Sequence, residues 1–310
     1  MSAQRRLLCA DRWHFQHGPI DIVIGADGNA AAVAAAHASA WRRFEGVLGE
    51  LVAELPLLRL PVAEACPLRG VIARRMWRAC EPFRANSGAA YITPMAAVAG
   101  AVAQELIACY EREGVARAWV NNGGDIALHL APGASVRVGL FADLARFDAA
   151  RADAPLHTDA DFTLTAALPV RGVATSGWRG RSFSFGIADS VTVLARTAAE
   201  ADAAASVIAN AVNIADARIV RRPACELKDD SDLGQLAVTV DVPMLETPRV
   251  HEALQAGLRR ALELQAAGLI ASAALVCQGW FAGCDDAAPR RLADRANAEP
   301  RALELGSVFA

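Results

Sequence analysis

The sequence almost lacks lysine: of its 31 basic residues only Lys228 is one, and the rest are arginine. Any chemistry that needs a lysine amine therefore has a single candidate. The six histidines form no HxxxH or HExxH pair, which disfavours a zinc hydrolase. No GxSxG elbow, Walker loop or GxGxxG fingerprint occurs. The seven cysteines are Cys9, Cys66, Cys80, Cys109, Cys225, Cys277 and Cys284. They are odd in number and include no CxxC pair, so they read as free thiols of a reducing compartment. The first fifteen residues hold too short an apolar run for a signal peptide. The alanine-rich run 93–109 is broken by Gly100, Gln104 and Glu105 and barely long enough to span a bilayer. A cytoplasmic protein without a membrane partner is expected. The net charge of −3 gives no support for a nucleic-acid partner.

What is abundant is alanine, at roughly 70 of the 310 residues. A high-GC genome accounts for both the alanine and the arginine. Hydrophobic residues reach 54%, ample for a substantial core. One domain over 1–310 is expected, with halves at about 1–147 and 160–284 and a charged peripheral tail at 285–310.

Periodicity and turn chemistry predict strands at Trp13–Phe15 and 19–25, with His17-Gly18 turning between them. A long helix over 29–55 stops before Pro56, and 56–90 reads as irregular and locally basic, with Arg74, Arg75, Arg78 and Arg84. A second helix opens with Thr93 as its cap and Pro94 in its first turn and runs to Gly114. Strands follow at 117–121, 125–131 and 136–142, then an Asp-rich link at about 148–161. Further strands are expected at 162–168, 171–175, 190–196, 236–242 and 270–280, and helices at 198–213 and 248–268. Thr197 and Glu200 form a capping-box pattern before the first of these helices. CELKDDSDLG at 225–234 reads as a polar loop. The order implies an α+β fold, antiparallel sheets with helices on one face, in two related halves.

Five segments can carry chemistry. Asn122-Gly123-Gly124-Asp125 lets a ligand approach the backbone, or is a plain hairpin turn. Thr175-Ser176-Gly177-Trp178-Arg179-Gly180-Arg181 packs hydroxyls, guanidinium forks and a ring that can stack on a flat ligand, or is a solvated loop. Asp189 precedes a very apolar strand and either orders a turn or accepts hydrogen bonds from a ligand. Asp202 and Ser206 share a helix face at i and i+4, a pairing that suits Mg²⁺ or Ca²⁺, or Asp202 simply favours the helix dipole. Asp229-Asp230-Ser231-Asp232 is an acidic loop, solvated or cation-binding.

Taken in order, NNGGDIAL, ATSG, an Asp before a TV-rich strand and a helix with AD-x-x-x-S resemble the ApbE superfamily of flavin transferases. There the order is an N-x-GGD/E-I turn, a TSG segment, HIIDP-x-TG and an AD-x-x-x-T helix. ITPMAAVAGAVA is similar to the D-x-G-x-x-A-K-G-Y-A pattern of that superfamily. The sequence is still more similar to an uncharacterised ApbE-like subfamily with F-x-x-GPIDI, VNNGGDIA, SFSFGIAD-x-VTVLA and SDLG. The resemblance covers nearly the whole chain and implies a T-fold-like architecture. It also implies a magnesium held by Asp202, Ser206 and a carbonyl near Ala97–Ala99.

Two departures matter. The superfamily lysine falls at Ala99, and its HIIDP histidine has no counterpart where Phe183-Ser184-Phe185-Gly186 stands. Loss of a general base removes roughly 10²–10⁴-fold of rate. The resemblance thus implies a retained pocket for a flat heteroaromatic, pterin- or flavin-like ligand (FAD or FMN among them), without conventional FMN transfer. Asp189 and Asp202 are the catalytic candidates. Asn122, Gly123, Gly124, Asp125, Thr175, Ser176, Gly177, Trp178, Arg179 and Arg181 are the ligand-binding ones, and Asp202 and Ser206 the metal ligands. Cofactor metabolism follows as the role, tetrahydromethanopterin-type biosynthesis being one form of it. The alternatives are an FMN transferase whose base is replaced by His14 or His17, and a non-catalytic binding or assembly protein. The smooth alanine-rich helix faces suit a homodimer.

Overall fold

The computed structural model describes residues 2–8, 12–84, 91–140, 160–284 and 290–291. The Asp-rich link and the charged tail fall largely outside these residues. In chain order the strands are β1 Gln4–Leu7, β2 Trp13–His17, β3 Ile20–Gly28, β4 Val115–Asn122, β5 Asp125–Leu130, β6 Ser135–Leu140 and β7 Ala160–Thr165. They continue with β8 Gly172–Ser176, β9 Ser190–Ala195, β10 Val220–Pro223, β11 Ala237–Asp241, β12 Ser272–Cys277, β13 Trp280–Gly283 and β14 Arg290–Arg291. The helices are α1 Ala30–Ala53, α2 Leu55–Leu58, α3 Val71–Cys80, α4 Val98–Ile107, α5 Ala198–Ala211, α6 Ala224–Leu227 and α7 Thr247–Ala266. Among the described residues no helix is long and apolar enough to cross a membrane. The fold is α+β, with antiparallel pairing at every strand pair whose register is defined.

The chain packs as two compact units. The first takes 1–137, 163–174 and 195–203; the second takes 138–162, 175–194 and 204–310. In the first, β1, β2, β3, β4 and β5 form a meander, and β8 joins β5 through Ile126↔Val173 and Ala127↔Gly172. Helices α1 and α4 pack on it, and α3 packs against α4. Period-two alternation turns Ile20, Ile22 and Ile24 of β3 into the core. There Phe15 meets Trp41 edge-on at 5.1 Å and tilts against Phe44 at 5.4 Å. Helix α1 starts where expected: the Asn29 side chain accepts the N–H groups of Ala31 and Ala32 at 3.0 and 3.2 Å.

In the second unit β9, β12, β13 and β14 pair antiparallel, and α7 covers β12 and β13. The apolar stripe Val250, Leu254, Leu258 and Ala261 faces inward. Gly257 belongs to the same face because a Cβ there would sit 2.2 Å from the Val212 side chain. Strands β10 and β11 form a separate ribbon.

Four sequence expectations are corrected. Residues 71–80 are helical rather than irregular. Ile72, Ala73, Met76, Ala79 and Cys80 line one face, and Glu54 from the end of α1 accepts the N–H groups of Arg69 and Gly70 at 2.7 and 2.6 Å. The long helix from Pro94 is broken: a 3₁₀ turn at Pro94–Ala97 precedes α4, which starts afresh because Ala97 leaves the helical region at φ −127° and ψ 14°. The strand expected at 270–280 is the first arm of a hairpin, turned by Gln278 and Gly279, both with positive φ. The loop at 225–234 opens with α6, and β10 precedes it. The capping box holds: Thr197 N–H reaches Glu200 at 3.1 Å and Glu200 N–H reaches Thr197 Oγ1 at 3.3 Å.

Two glycine substitutions test how close this packing is. A Cβ on Gly100 would stand 2.2 Å from the Ala198 carbonyl oxygen, whereas a Cβ on Gly49 in α1 meets nothing within 4 Å. Gly100→Ala should lower unfolding free energy by about 1–3 kcal/mol. Gly49→Ala should raise it by about 0.5–1 kcal/mol. Denaturant melts of the two variants measure both; equal and opposite signs to these would refute the packing.

Candidate functional site

The best-connected candidate cluster lies in the first unit, at the N-terminus of α4. A helix start leaves backbone N–H groups without partners. Asp202, from the first turns of α5, supplies one: its Oδ2 accepts the Gly100 N–H at 2.9 Å. The Ala99 N–H also bonds this carboxyl group. The Ala99 carbonyl accepts the Asn122 Nδ2–H at 3.1 Å. Asp202 and Asn122 therefore converge on one dipeptide, and Ala99 contributes backbone where the resemblance expects a lysine side chain.

Asn122 is held in place by the hairpin it belongs to. It pairs with Asp125 across a two-residue turn in which Gly123 and Gly124 take φ of +67° and +109°. Only glycine adopts such angles freely. Asn121 Oδ1 accepts the Gly124 N–H at 2.9 Å and closes the turn. Asn122 and Asp125 are both buried. The hairpin reading is thus correct as geometry, and the turn's first residue also reaches the α4 start.

Electrostatics single out Asp202. Asp202 is half-buried, and desolvation of its carboxyl raises the pKa from 3.8 to about 7, against the opposing hydrogen bonds from Gly100 and Ala99. Cys80, fully buried on α3, lies close enough for its thiol pKa to be pushed up by burial and then by the Asp202 charge. Among the described residues no group of three or more His, Cys, Asp and Glu side chains is placed to hold a metal ion. Ser206 stands one turn beyond Asp202 on α5 at intermediate exposure.

Beside this cluster the first unit has an open cleft of about 270 Å³ lined by Arg75, Arg78, Gln104, Thr197 and Glu200 among others. Sequence reasoning missed it because α3, which supplies the arginines, was not expected. Arg75 is committed to packing: it donates to the Ala101 carbonyl at 3.1 Å and pairs with Glu105 at 2.8 Å. Arg43 holds the other oxygen of Glu105 at 2.7 Å. The two guanidinium groups outweigh burial and lower the Glu105 pKa. His14 faces Asp21 at 2.8 Å, and His17 packs edge-on against Phe44 at 6.3 Å.

The remaining candidates lie in the second unit. Thr175 shares a hydrogen bond with Thr192 at 2.9 Å. After Ser176, Gly177 packs so tightly that a Cβ would sit 2.4 Å from the Asp189 carbonyl oxygen, and Trp178 N–H bonds the Ala188 carbonyl at 3.0 Å. The Trp178 indole N–H is buried without an acceptor. Arg179 lies over its ring at 4.8 Å, and Arg181 is exposed. Asp189 is buried, and its Oδ2 accepts the Gln278 N–H at the β12–β13 turn. In this position it orders a turn. Asp229 and Asp230 are exposed, and Asp230 takes φ of 60°.

The family model described as AbpE bacteria matches residues 4–283. A UPF0280 protein of Methanopyrus kandleri is 36% identical over 225 residues, covering 71% of this chain and 83% of the relative. Another UPF0280 protein, from Methanospirillum hungatei, is 39% identical over 126 residues, 40% of this chain. The chain spans 47% of that relative's length. A crystal structure titled as the apo form of the Pseudomonas stutzeri flavinyl transferase ApbE aligns over 95% of this chain and 97% of its own, at 12% identity and a TM-score of 0.45.

The raised Asp202 pKa has a consequence for stability. The folded carboxyl binds its proton more tightly than the unfolded one, at about 7 against 3.8. Its contribution is therefore complete below the unfolded value and is lost as pH rises through the folded one. In chelator-treated buffer Asp202→Asn, which keeps an acceptor without the charge, is expected to melt above wild type at pH 8 and no higher than wild type at pH 4. A pH-independent difference in Tm would refute a shifted carboxyl.

Proposed function

The chain belongs to the AbpE bacteria family, matched over residues 4–283, and on that premise we propose that it binds a flat heteroaromatic, pterin- or flavin-like ligand in cofactor metabolism. The observation that carries this reading is Trp178: a large ring in a hydroxyl- and arginine-bearing loop whose buried indole N–H has no acceptor. Buried indole N–H groups normally find a partner. An acceptor atom on a bound ring meets that need, and Arg179 and Arg181 suit acidic substituents of the same ligand. Thr175, Ser176 and Gly177 complete this loop as ligand contacts; Asn122 to Asp125, in the first unit, are proposed separately as backbone contacts for a ligand. Tetrahydromethanopterin-type biosynthesis is the specific role we propose to test first.

Asp189 and Asp202 are proposed as the reacting or orienting carboxylates. A divalent ion at Asp202 and Ser206 would receive one carboxylate and one hydroxyl from the chain. A hard cation takes six or more oxygens, so carbonyls, water or ligand phosphate must supply the rest. Conventional FMN transfer is disfavoured on chemical grounds: Ala99 carries no charge, and Phe183 to Gly186 offer no imidazole.

Thermal melts against FAD, FMN, a reduced pterin and their phosphorylated forms, with and without Mg²⁺, test the proposal. A Tm rise of several degrees with one ring class is expected, lost in Trp178→Ala. Incubation with FAD, Mg²⁺ and a threonine-bearing peptide should leave the peptide mass unchanged. Absence of stabilisation by any ring compound overturns ligand binding; an FMN adduct abolished by Asp202→Ala overturns the exclusion of transfer.

A further inference from the structure

In the second unit Arg221 takes a neutral partner where the arginines near it take acids. Arg218 is paired with Asp216 and Glu246, Arg222 with Glu226, and Arg249 with Glu252. Arg221, between them on β10, has no carboxylate among the described residues. Its Nη2 donates to the neutral Asn213 Oδ1 at 2.6 Å. That oxygen already accepts the Ile214 N–H at 2.9 Å, and the Asn213 amide donates to the Phe185 carbonyl at 2.8 Å. The guanidinium is thus fixed in direction by a rigid neutral clamp while the rest of its fork stays open.

Directly across the ribbon from Arg221 is Thr239. Cross-strand partners project to the same face with their Cβ atoms about 5 Å apart. The ladder shifts register between Val220 and Arg221, the kind of irregularity that re-aims a side chain. Thr239 is 4% exposed, and its hydroxyl has no hydrogen-bond partner. Its backbone N–H is taken by the Ser184 carbonyl at 2.8 Å, so the residue is anchored while its hydroxyl is left over. A buried hydroxyl without a partner and a half-buried guanidinium without a counter-charge are each unusual. Here they occupy directly paired positions on the two strands of one ribbon. Burial lowers the Arg221 pKa, with no acid nearby to oppose it.

We propose that Arg221 and Thr239 form an oxyanion subsite that receives a phosphate or carboxylate group, the open edge of the guanidinium binding two oxygens and the Thr239 hydroxyl donating to one. Guanidinium forks match both groups bidentately. Asn213 is a positioning residue, since it touches Arg221 and not the anion. The subsite does not depend on the ring ligand proposed above, and its test uses anions alone.

Full-length protein is titrated with inorganic phosphate and, separately, with oxalate, at constant ionic strength balanced by chloride, and followed by calorimetry and thermal melts. Saturable binding of at least one anion is expected. Stronger binding of phosphate identifies a phosphate-bearing ligand, and stronger binding of oxalate a carboxylate-bearing one. Arg221→Gln should weaken binding at least about tenfold. Thr239→Val should weaken it by about threefold or more while leaving the anion-free Tm equal or higher, because it removes an unpartnered hydroxyl. Arg222→Gln, with its outward ion pair to Glu226, should bind as wild type. If Arg221→Gln misfolds, Thr239→Val alone decides. No saturable binding, or binding unchanged in Thr239→Val, overturns the subsite; so does a Thr239→Val protein that loses stability while binding normally.

Discussion

The first unit turns on how closely the start of α5 is gripped by two glycines. A Cβ on Gly100 would lie 2.2 Å from the Ala198 carbonyl oxygen, and one on Gly172 of β8 would lie 2.1 Å from the Thr197 carbonyl oxygen. Neither contact tolerates a side chain, because the obstacle on each side is backbone. That closeness is what lets the short Asp202 side chain reach the Gly100 N–H. It also sets the position of the Ala99 carbonyl, and through it the Asn122 amide at the end of β4. One steric constraint thereby places a carboxylate, a helix start and a glycine turn at the same point.

The scarcity of lysine has a structural side as well. Arg43 donates through Nε to Glu105 and through Nη2 to Glu50, tying α1 to α4 and to its own later turn. Arg75 takes the second oxygen of Glu105 from α3. Glu50 and Glu54 in turn receive the N–H groups that open α3. A guanidinium presents several donors in fixed directions and can bridge two carboxylates; an ammonium on a flexible stem does so less well. These groups are a quarter exposed or less on average of their surface, so the pairs are screened less than ordinary surface bridges. Helix packing in this unit makes use of the arginines.

Much of this organisation was legible in the residues. The Thr197 cap, the glycine turn and most of the longer strands follow from local rules that the tertiary structure does not override. Helix α3 was missed although its stripe is present in the residues. Ile72, Ala73, Met76, Ala79 and Cys80 recur at helical spacing, but flanking prolines and four arginines masked the stripe. The break before α4 was not legible, since nothing local to Ala97 requires it; the partner that satisfies the new helix start comes from Asp202, about a hundred residues away. The β12–β13 turn was hidden for a related reason. Gln278 sits at φ 46°, unusual for a side-chain-bearing residue, and its amide spans from the Pro243 carbonyl to the Leu245 N–H. Asp189 supports the same turn from a strand entrance. Contacts of that range leave no periodic trace in a sequence.

Asp202 is where structure and chemistry pull apart most clearly. As a cap for α4 it needs only an oxygen that accepts N–H bonds. Asparagine offers that oxygen without a charge, whereas the carboxylate is raised toward neutral pH by its burial. A group held in that condition is poorly suited to a purely structural part, because ionising it works against the fold. It is well suited to a place where a cation or a transferable proton arrives, since either relieves the penalty that burial imposes. The same argument applies with opposite sign to Arg221, whose charge is clamped by a neutral amide rather than an acid.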